Sequence, residues 1–400
     1  MPEQDGTNDI VLTCYACSAT YSCPTQRCSC GEPVWFVSPE RDFDWPTQSI
    51  ANMWAFTDLL PISDPDEGIS AATGGTPLFR VHSLDEFAGV SVYVKNEAFN
   101  PTGSFKDRGS CIGVLMAKAM GFETVGTVSY GNMAISMAAY AAAYGTDCVI
   151  LVPDDIPDIR LQHIARYGPR IVQVTGDYGA LYQKSLELGV EHKIHFVNSD
   201  SPARVAGQKT TGLEILQHSI SQGYDLDAIV LPVSSGGHAS GIWKGYKDLK
   251  AGGVSTDFPP IYLVQAAATA PIAMAFERGS TSVDAVSGAD SVAYSITNPN
   301  PPSGNRALEA VIDSGGKLVA VEDEEILTAQ RTLLEQSGIY VEASSASVLA
   351  GIRKLTQVGA LSPDDTVAAI LTGDGFKEGN PPNVPMEVEE ATMGELDTKL

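Results

Sequence analysis

The sequence predicts an α/β protein whose parallel sheets are flanked by helices, and three observations lead there. From Leu78 onward, short Val- and Ile-rich runs alternate with longer helical segments, the order that builds parallel sheets through crossover helices. The 400 residues exceed what one compact core holds, so roughly two or three domains are expected. Five of the seven cysteines crowd into residues 14–30, ahead of the alternating region, and set that segment apart.

Taken in order, residues 37–70 form a connector containing Pro, Asp and Trp, with little periodicity. Residues 90–94 read as a strand and the apolar run 111–120 as a helix. A strand at 122–128 precedes an Ala-rich helix at 134–144, which Gly145 stops. The continuous apolar run 148–152 reads as a buried strand, followed by a short helix at 159–167 that ends at Gly168. Further buried-type strands are expected at 171–174, 194–197, 229–233 and 261–264, with helices at 208–222 and 239–250. A strand at 318–321, a helix at 324–336 and a strand at 367–371 complete the alternation. In open α/β sheets ligands sit beyond the C-terminal ends of strands, so the loops at those ends are where function is expected.

The hydrophobic fraction of 44% is ordinary for a globular protein. No apolar run reaches about eighteen residues, so no membrane span is expected. Residues 1–9 are polar and acidic and do not resemble a signal peptide, which reads as a cytoplasmic protein. The net charge of −24, from 49 acids against 25 bases, opposes nucleic acid and anionic membrane surfaces as partners. The acids are spread along the chain like the solvated surface of a protein from a salt-loving organism. They are densest in the tail (Glu387, Glu389, Glu390, Glu395, Asp397), which is expected to be disordered.

Clustered cysteines in a cytoplasmic chain read as metal ligands rather than disulfides. Cys14 and Cys17 form one close pair, Cys28 and Cys30 another, and four thiolates suit tetrahedral zinc in a structural, ribbon-like module. Cys23 is an additional candidate, whereas Cys111 and Cys148 lie in apolar contexts and read as core.

The most informative segment is Asn100-Pro101-Thr102-Gly103-Ser104-Phe105-Lys106-Asp107-Arg108-Gly109. It sets one lysine at the mouth of a Gly/Ser turn, before a helix. Positive potential from the helix N-terminus and from Arg108 should lower the pKa of Lys106, as a Schiff-base lysine requires. The decapeptide resembles the lysine motif of threonine synthases, in the fold-type II superfamily of enzymes dependent on pyridoxal 5′-phosphate (PLP). The resemblance implies that Lys106 carries PLP.

Four further segments extend the resemblance. Ser234-Ser235-Gly236-Gly237-His238, between a buried strand and a helix, has the make-up of a phosphate cradle, since helix N-termini attract anions. It is similar to the family's cofactor-phosphate loop, although Ser234-Ser235 replace Gly-Asn and His238 replaces Asn. Ser129-Tyr130-Gly131-Asn132-Met133 resembles the loop that binds the substrate carboxylate and sets Asn132 beside the cofactor ring hydroxyl. Tyr130 and Met133 replace small polar residues there and are expected to reshape the pocket. Asn198 to Thr210 closely resembles the segment in which the positions of Asn198, Ser199 and Arg204 contact the substrate phosphate; an arginine fork suits that anion. Thr372-Gly373-Asp374-Gly375-Phe376-Lys377 ends the last strand. There the resemblance implies that Thr372 faces the pyridine nitrogen, while Asp374 replaces a histidine. Gly74-Gly75-Thr76-Pro77-Leu78, Tyr93 to Glu97 and Val341 to Ala346 give weaker matches. Against the pattern, residues 153–161 carry Asp154, Asp155 and Asp158 where relatives are rich in Gly and Lys, with Arg160 replacing one lysine. These acids would oppose a dianionic substrate unless they face solvent.

The resemblance implies a two-domain fold-type II PLP enzyme with a small zinc-ribbon-like module. The expected division is residues 1–48 for the module and connector, 49–112 with 208–380 for a large PLP-binding domain, 113–207 for a substrate-side domain, and 381–400 for the acidic tail. It implies conversion of the small phosphorylated amino acid O-phospho-L-homoserine, with water, to L-threonine and phosphate, a lyase reaction of amino-acid biosynthesis. A homodimer is the expected assembly. Two alternatives stay open: a related replacement or elimination enzyme, such as a serine/threonine dehydratase or one similar to cysteate synthase, and a non-catalytic paralogue.

Overall fold

The structure is a computed structural model describing residues 11–37, 43, 45–63, 68–176, 178–254 and 257–378. The acidic tail, the polar N-terminal nonapeptide and parts of the connector lie outside the described residues. Three sheets organise the chain. Strands β1 (Val11–Cys14), β2 (Thr20–Ser22) and β3 (Val34–Phe36) make a small antiparallel sheet in the order β2-β1-β3.

A large sheet begins with β4 (Leu78–Arg80) and β5 (Ser91–Asn96). The chain then leaves it to build a four-stranded sheet from β6 (Thr124–Val128), β7 (Asp147–Pro153), β8 (Arg170–Val174) and β9 (Ile194–Phe196). It returns with β10 (Ala228–Pro232), β11 (Ile261–Ala266), β12 (Leu318–Val321) and β13 (Thr366–Leu371). The four-stranded sheet has the order β8-β7-β6-β9 and is wholly parallel. The six-stranded sheet has the order β12-β11-β10-β13-β5-β4 and is parallel except for the antiparallel edge strand β4.

Both faces of the large sheet are covered, which explains why its strands read as continuous apolar runs. On β10, Ala228 and Val230 join one core while Ile229 and Leu231 join the other. The helix Ala343–Gln357 covers the first face. It passed unnoticed in the sequence because its Ser- and Ala-rich start lacks large apolar residues.

Helix Lys106–Ala119 crosses between the two parts, running through residues 112 and 113 where a domain boundary is expected. It packs against helices Asn132–Ala143 and Pro202–Gln208. The latter is a separate short helix ahead of Thr210–Gln222, which is the helix expected at 208–222, and Pro202 lies in its first turn, where a missing N–H costs no helical bond. The cysteine module shares a core with these helices through Leu12, Cys14 and Val34, and Cys111 and Cys148 are buried there as expected. Among the described residues, no helix is long and apolar enough to cross a membrane.

Candidate active site

The Lys106 turn is built by its neighbours. Gly103 accepts the N–H of Asp374, and Phe105 donates its N–H to the carbonyl of Thr372 at 3.1 Å, so the turn leans on the loop after β13. The buried carboxylate of Asp107 accepts the N–H and hydroxyl of Thr102, both at 2.6 Å, and the hydroxyl of Ser136 at 2.6 Å. This locks the turn to its own helix and to helix Asn132–Ala143. Lys106 then opens its helix, with Nζ 4.0 Å from the centre of the Phe105 ring.

Burial drives the Lys106 amine well below the usual lysine range; the charges of Arg204 and Lys377 push the same way, against Glu342. Arg108 is not the neighbour that sequence adjacency suggested. Two residues advance a helix by about 200°, and Arg108 points into a buried ion network instead. Its guanidinium donates to Glu97 and Glu214 at 2.6–2.8 Å, and Lys95 Nζ reaches Glu214 at 2.6 Å. Thr76 and the Gly75 N–H complete it, which gives the weaker motifs at 74–78 and 93–97 a structural reason.

Ser234 to His238 lie between β10 and the helix Gly237–Ala251. Gly236 has φ +88°, the left-handed region open to glycine, and a Cβ there would collide with the Ser303 carbonyl. A Cβ on Gly237 would stand 2.6 Å from the Ser199 carbonyl oxygen, so the cradle abuts the segment carrying Ser199 and Arg204. Ser235 Oγ accepts from the amide of Asn298 at 3.3 Å. His238 is buried, with Nε2 3.1 Å from the Thr211 hydroxyl. Burial holds its pKa down to about 3, so the ring is neutral.

Arg204 is buried on its short helix, close enough to Lys106 and His238 to depress both. Ser199 lies beside Gly237. Asn198, expected to touch the substrate phosphate, braces the fold: Oδ1 accepts the Val128 N–H at 3.0 Å and Nδ2 donates to Ser185 at 2.9 Å.

Ser129, Tyr130 and Gly131 follow β6, with the Gly131 N–H 3.4 Å from Ser129 Oγ. Asn132 opens its helix; its Nδ2 donates to Glu342 at 2.8 Å and its Oδ1 accepts from Lys377 at 2.7 Å. Glu342 and Lys377 sat in the sequence motifs without a role. Met133, expected to reshape the pocket, is core, 4% exposed with sulfur 3.9 Å from Ser110 Oγ. Tyr130 is half-buried, with Arg160 5.6 Å from its ring centre and 3.7 Å from that of Tyr294. Asp154, Asp155 and Asp158 are exposed, which removes the objection to an anionic substrate.

Thr372 is buried at the end of β13, its N–H bonded to Ser345 Oγ at 2.8 Å. The carboxylate of Asp374 caps the Phe376 N–H at 2.7 Å.

PLP is the cofactor these residues fit. A glycine cradle at a helix N-terminus suits its phosphate, and a partly buried lysine held toward the neutral amine suits its aldehyde. Among the described residues, Cys14, Cys17, Cys28 and Cys30 form the metal-type cluster, their sulfurs all within 4.8 Å. The Cys14–Cys30 and Cys17–Cys28 separations of 3.7 and 3.5 Å approach the edge of about 3.8 Å implied by zinc–sulfur bonds of about 2.3 Å. Cys23 stands outside the set.

Known proteins support PLP as the cofactor. Threonine synthase from Methanocaldococcus jannaschii is 37% identical over 82% of this chain and 80% of its own length. That from Methanosarcina acetivorans is 34% identical over 96% of this chain and 95% of its own. Among solved structures, a threonine deaminase from T.th. matches with a TM-score of 0.64 and 26% identity, over 76% of this chain and 94% of its own. A PLP-dependent aspartate racemase matches with a TM-score of 0.64 and 25% identity, over 75% and 90%. The family described as "Pyridoxal-phosphate dependent enzyme" matches residues 69–373, from just before the Gly-Gly-Thr segment to the loop after β13, and the chain belongs to that family.

Proposed function

We propose that the protein is a threonine synthase, converting O-phospho-L-homoserine and water to L-threonine and phosphate. The observation that carries the reading is a second anion site beside the cofactor cradle. Arg204 is buried near Lys106, on the segment whose Ser199 abuts Gly237. With the substrate carboxylate assigned to the loop Ser129 to Gly131, a second anion is what this guanidinium would take, and its fork suits a phosphate. The similarity to threonine synthases along nearly the whole chain supports the same choice over a dehydratase.

The cradle N–H groups of Gly236, Gly237 and His238, with Ser234 and Ser235, hold the cofactor phosphate. Thr372 would stand at the ring nitrogen and Asn132 at the ring hydroxyl. When bound, PLP supplies an electron sink for negative charge beside the amino group. Lys106, held toward the neutral amine, takes protons from Cα and Cβ and returns them at Cγ and Cα, while the phosphate leaves Cγ with the C–O electron pair and water adds at Cβ, giving its proton to that phosphate. Ser129, Tyr130 and Gly131 hold the carboxylate. Arg204 and Ser199 hold the phosphate before and after it leaves, and Asn198 ties the segment that carries them to the end of β6 and to Ser185. The stack of Arg160 on Tyr294 narrows the cleft against bulk water.

In this reading the large part (49–112 with 208–380) carries the cofactor and the part at 113–207 carries the substrate. A cytoplasmic homodimer is the form expected for such an enzyme, and light scattering of the holoenzyme measures the assembly. The test supplies the purified protein with PLP and O-phosphohomoserine in high salt and quantifies both products. Equal phosphate and threonine support the proposal, phosphate with a keto acid replaces it by elimination, and neither product removes it.

A further inference from the structure

Lys377 follows β13 and Glu342 precedes helix Ala343–Gln357, and both end on one side chain, Asn132, at the start of the helix after β6. Lys377 Nζ donates to the carbonyls of Thr102 and Gly103 at 3.0 and 2.8 Å and to Asn132 Oδ1 at 2.7 Å. Three acceptors use all three protons of an ammonium, so the geometry is that of charged lysine. Glu342 is buried and accepts Asn132 Nδ2 at 2.8 Å through Oε2. Its backbone N–H is tied to the Gly373 carbonyl at 3.2 Å, which fixes its origin beside the same loop.

We infer that Lys377 and Glu342 are positioning residues that clamp the Asn132 carboxamide from both ends and thereby join the substrate-side loop to the Lys106 turn. The two charges make the amide's orientation one-sided. Flipping it would set NH2 against an ammonium and oxygen against a carboxylate, losing both charge-assisted hydrogen bonds. One Nδ2 hydrogen and one Oδ1 lone pair then stay in a fixed direction for the ligand. The clamp also bridges Thr102 and Gly103, two residues of the turn that presents Lys106, to the start of helix Asn132–Ala143. Neither the relatives' names nor the sequence motifs assign this pairing. It rests on the proposed function only in taking Asn132 to face the cofactor ring.

The test uses the PLP-loaded enzyme and its visible absorbance, which needs no knowledge of the substrate. Lys377→Met keeps the chain length and removes the donors. It should shift the cofactor band and weaken PLP affinity at least tenfold, while kcat falls more than tenfold and KM changes less than threefold. Lys377→Arg should recover part of each effect. In an Asn132→Ala background, Lys377→Met should add little, since the lysine acts through the amide. An unchanged band and PLP affinity in a folded Lys377→Met enzyme would overturn the clamp, as would full additivity with Asn132→Ala. If Lys377→Met does not fold, Glu342→Gln decides alike, because it removes the charge at nearly constant shape. A wild-type enzyme inert toward O-phosphohomoserine would sink the proposed function, leaving the spectral result to judge the clamp separately.

Discussion

The ring of Phe105 lies flat on the imidazole of His238, with centres 4.2 Å apart and planes 13° from parallel. The residue preceding the lysine is therefore stacked on the first turn of the phosphate-cradle helix, and a shift in one moves the other. Offset stacking in a buried site contributes about 0.5–1.5 kcal/mol beyond area burial. It also keeps His238 away from solvent, which fixes how the ring titrates.

The folded-state pKa of His238 is about 3 against 6.5 for an ordinary histidine, so the native state favours the neutral ring. Its contribution to stability is complete above pH 6.5 and is lost as pH falls toward 3, because the unfolded chain binds a proton that the folded chain refuses. His195, lowered to about 4 by burial, acts in the same direction. Replacing His238 with Asn should lower the slope of unfolding free energy against pH by about one proton between pH 4 and 6. Denaturant titrations at several pH values measure this; equal slopes in both proteins would show that His238 is protonated in the fold.

Arg204 is expected to act twice. As a phosphate contact, its loss should cost about 1.5–3 kcal/mol, or roughly 10- to 100-fold in kcat/KM for the phosphorylated substrate. As a positive neighbour of Lys106, its removal should raise that amine's pKa, since burial and Arg204 are the largest causes of its depression. Capture of PLP needs the neutral amine, so its pH midpoint should move upward in Arg204→Ala. Capture rates measured against pH, together with substrate kinetics, test both; a midpoint that does not move would detach Arg204 from Lys106.

The ion network around Arg108 predicts a stability effect separate from chemistry. Although burial opposes ionisation, Arg108 holds Glu97 down to about 2, and Arg108 with Lys95 keeps Glu214 low. Glu214→Gln would leave Arg108 and Lys95 sharing an uncharged partner in the interior, at a cost of about 3–5 kcal/mol. The denaturation midpoint of the apo protein should fall accordingly, and a midpoint within error of wild type would mean that water enters this site.

What could be read from the sequence was local. The lysine turn, the glycine cradle after β10 and the loop after β6 are contiguous segments whose residues carry their own geometry, and the strands showed because both sheet faces are covered. What escaped was set by contacts distant in sequence. Glu342 and Lys377 lie 210 and 245 residues from Asn132, and no spacing rule links them. Adjacency misled for Arg108, which the helical twist turns away from Lys106. Met133 stands where known motifs have a small polar residue, which suggests a change in the pocket, but packing sends it into the core.

The cysteine module reaches the substrate segment directly, so metal removal should be felt at the active site. Arg27 Nη2 lies 2.8 Å from the buried carboxylate of Asp200 and also donates to the Pro302 carbonyl at 3.0 Å, while Gln26 donates to the Phe196 carbonyl at 2.7 Å. Asp200 sits between Ser199 and Arg204, and the carbonyl of Ser303, next to Pro302, walls the back of Gly236. Both anion sites thus have a support in residues just before Cys28. Zinc bound by the four thiolates would hold the two cysteine turns together in a module of three short strands. The purified enzyme should carry about one zinc per chain. Chelation, or Cys17→Ser, should lower thermal stability and raise KM for the phosphorylated substrate more than it weakens PLP binding, because Arg27 bonds the substrate segment directly and the cradle only through Pro302 and Ser303. Metal analysis with parallel KM and PLP titrations decides the matter. A metal-free enzyme with an unchanged KM would reduce the module to a passive cap on helix Lys106–Ala119.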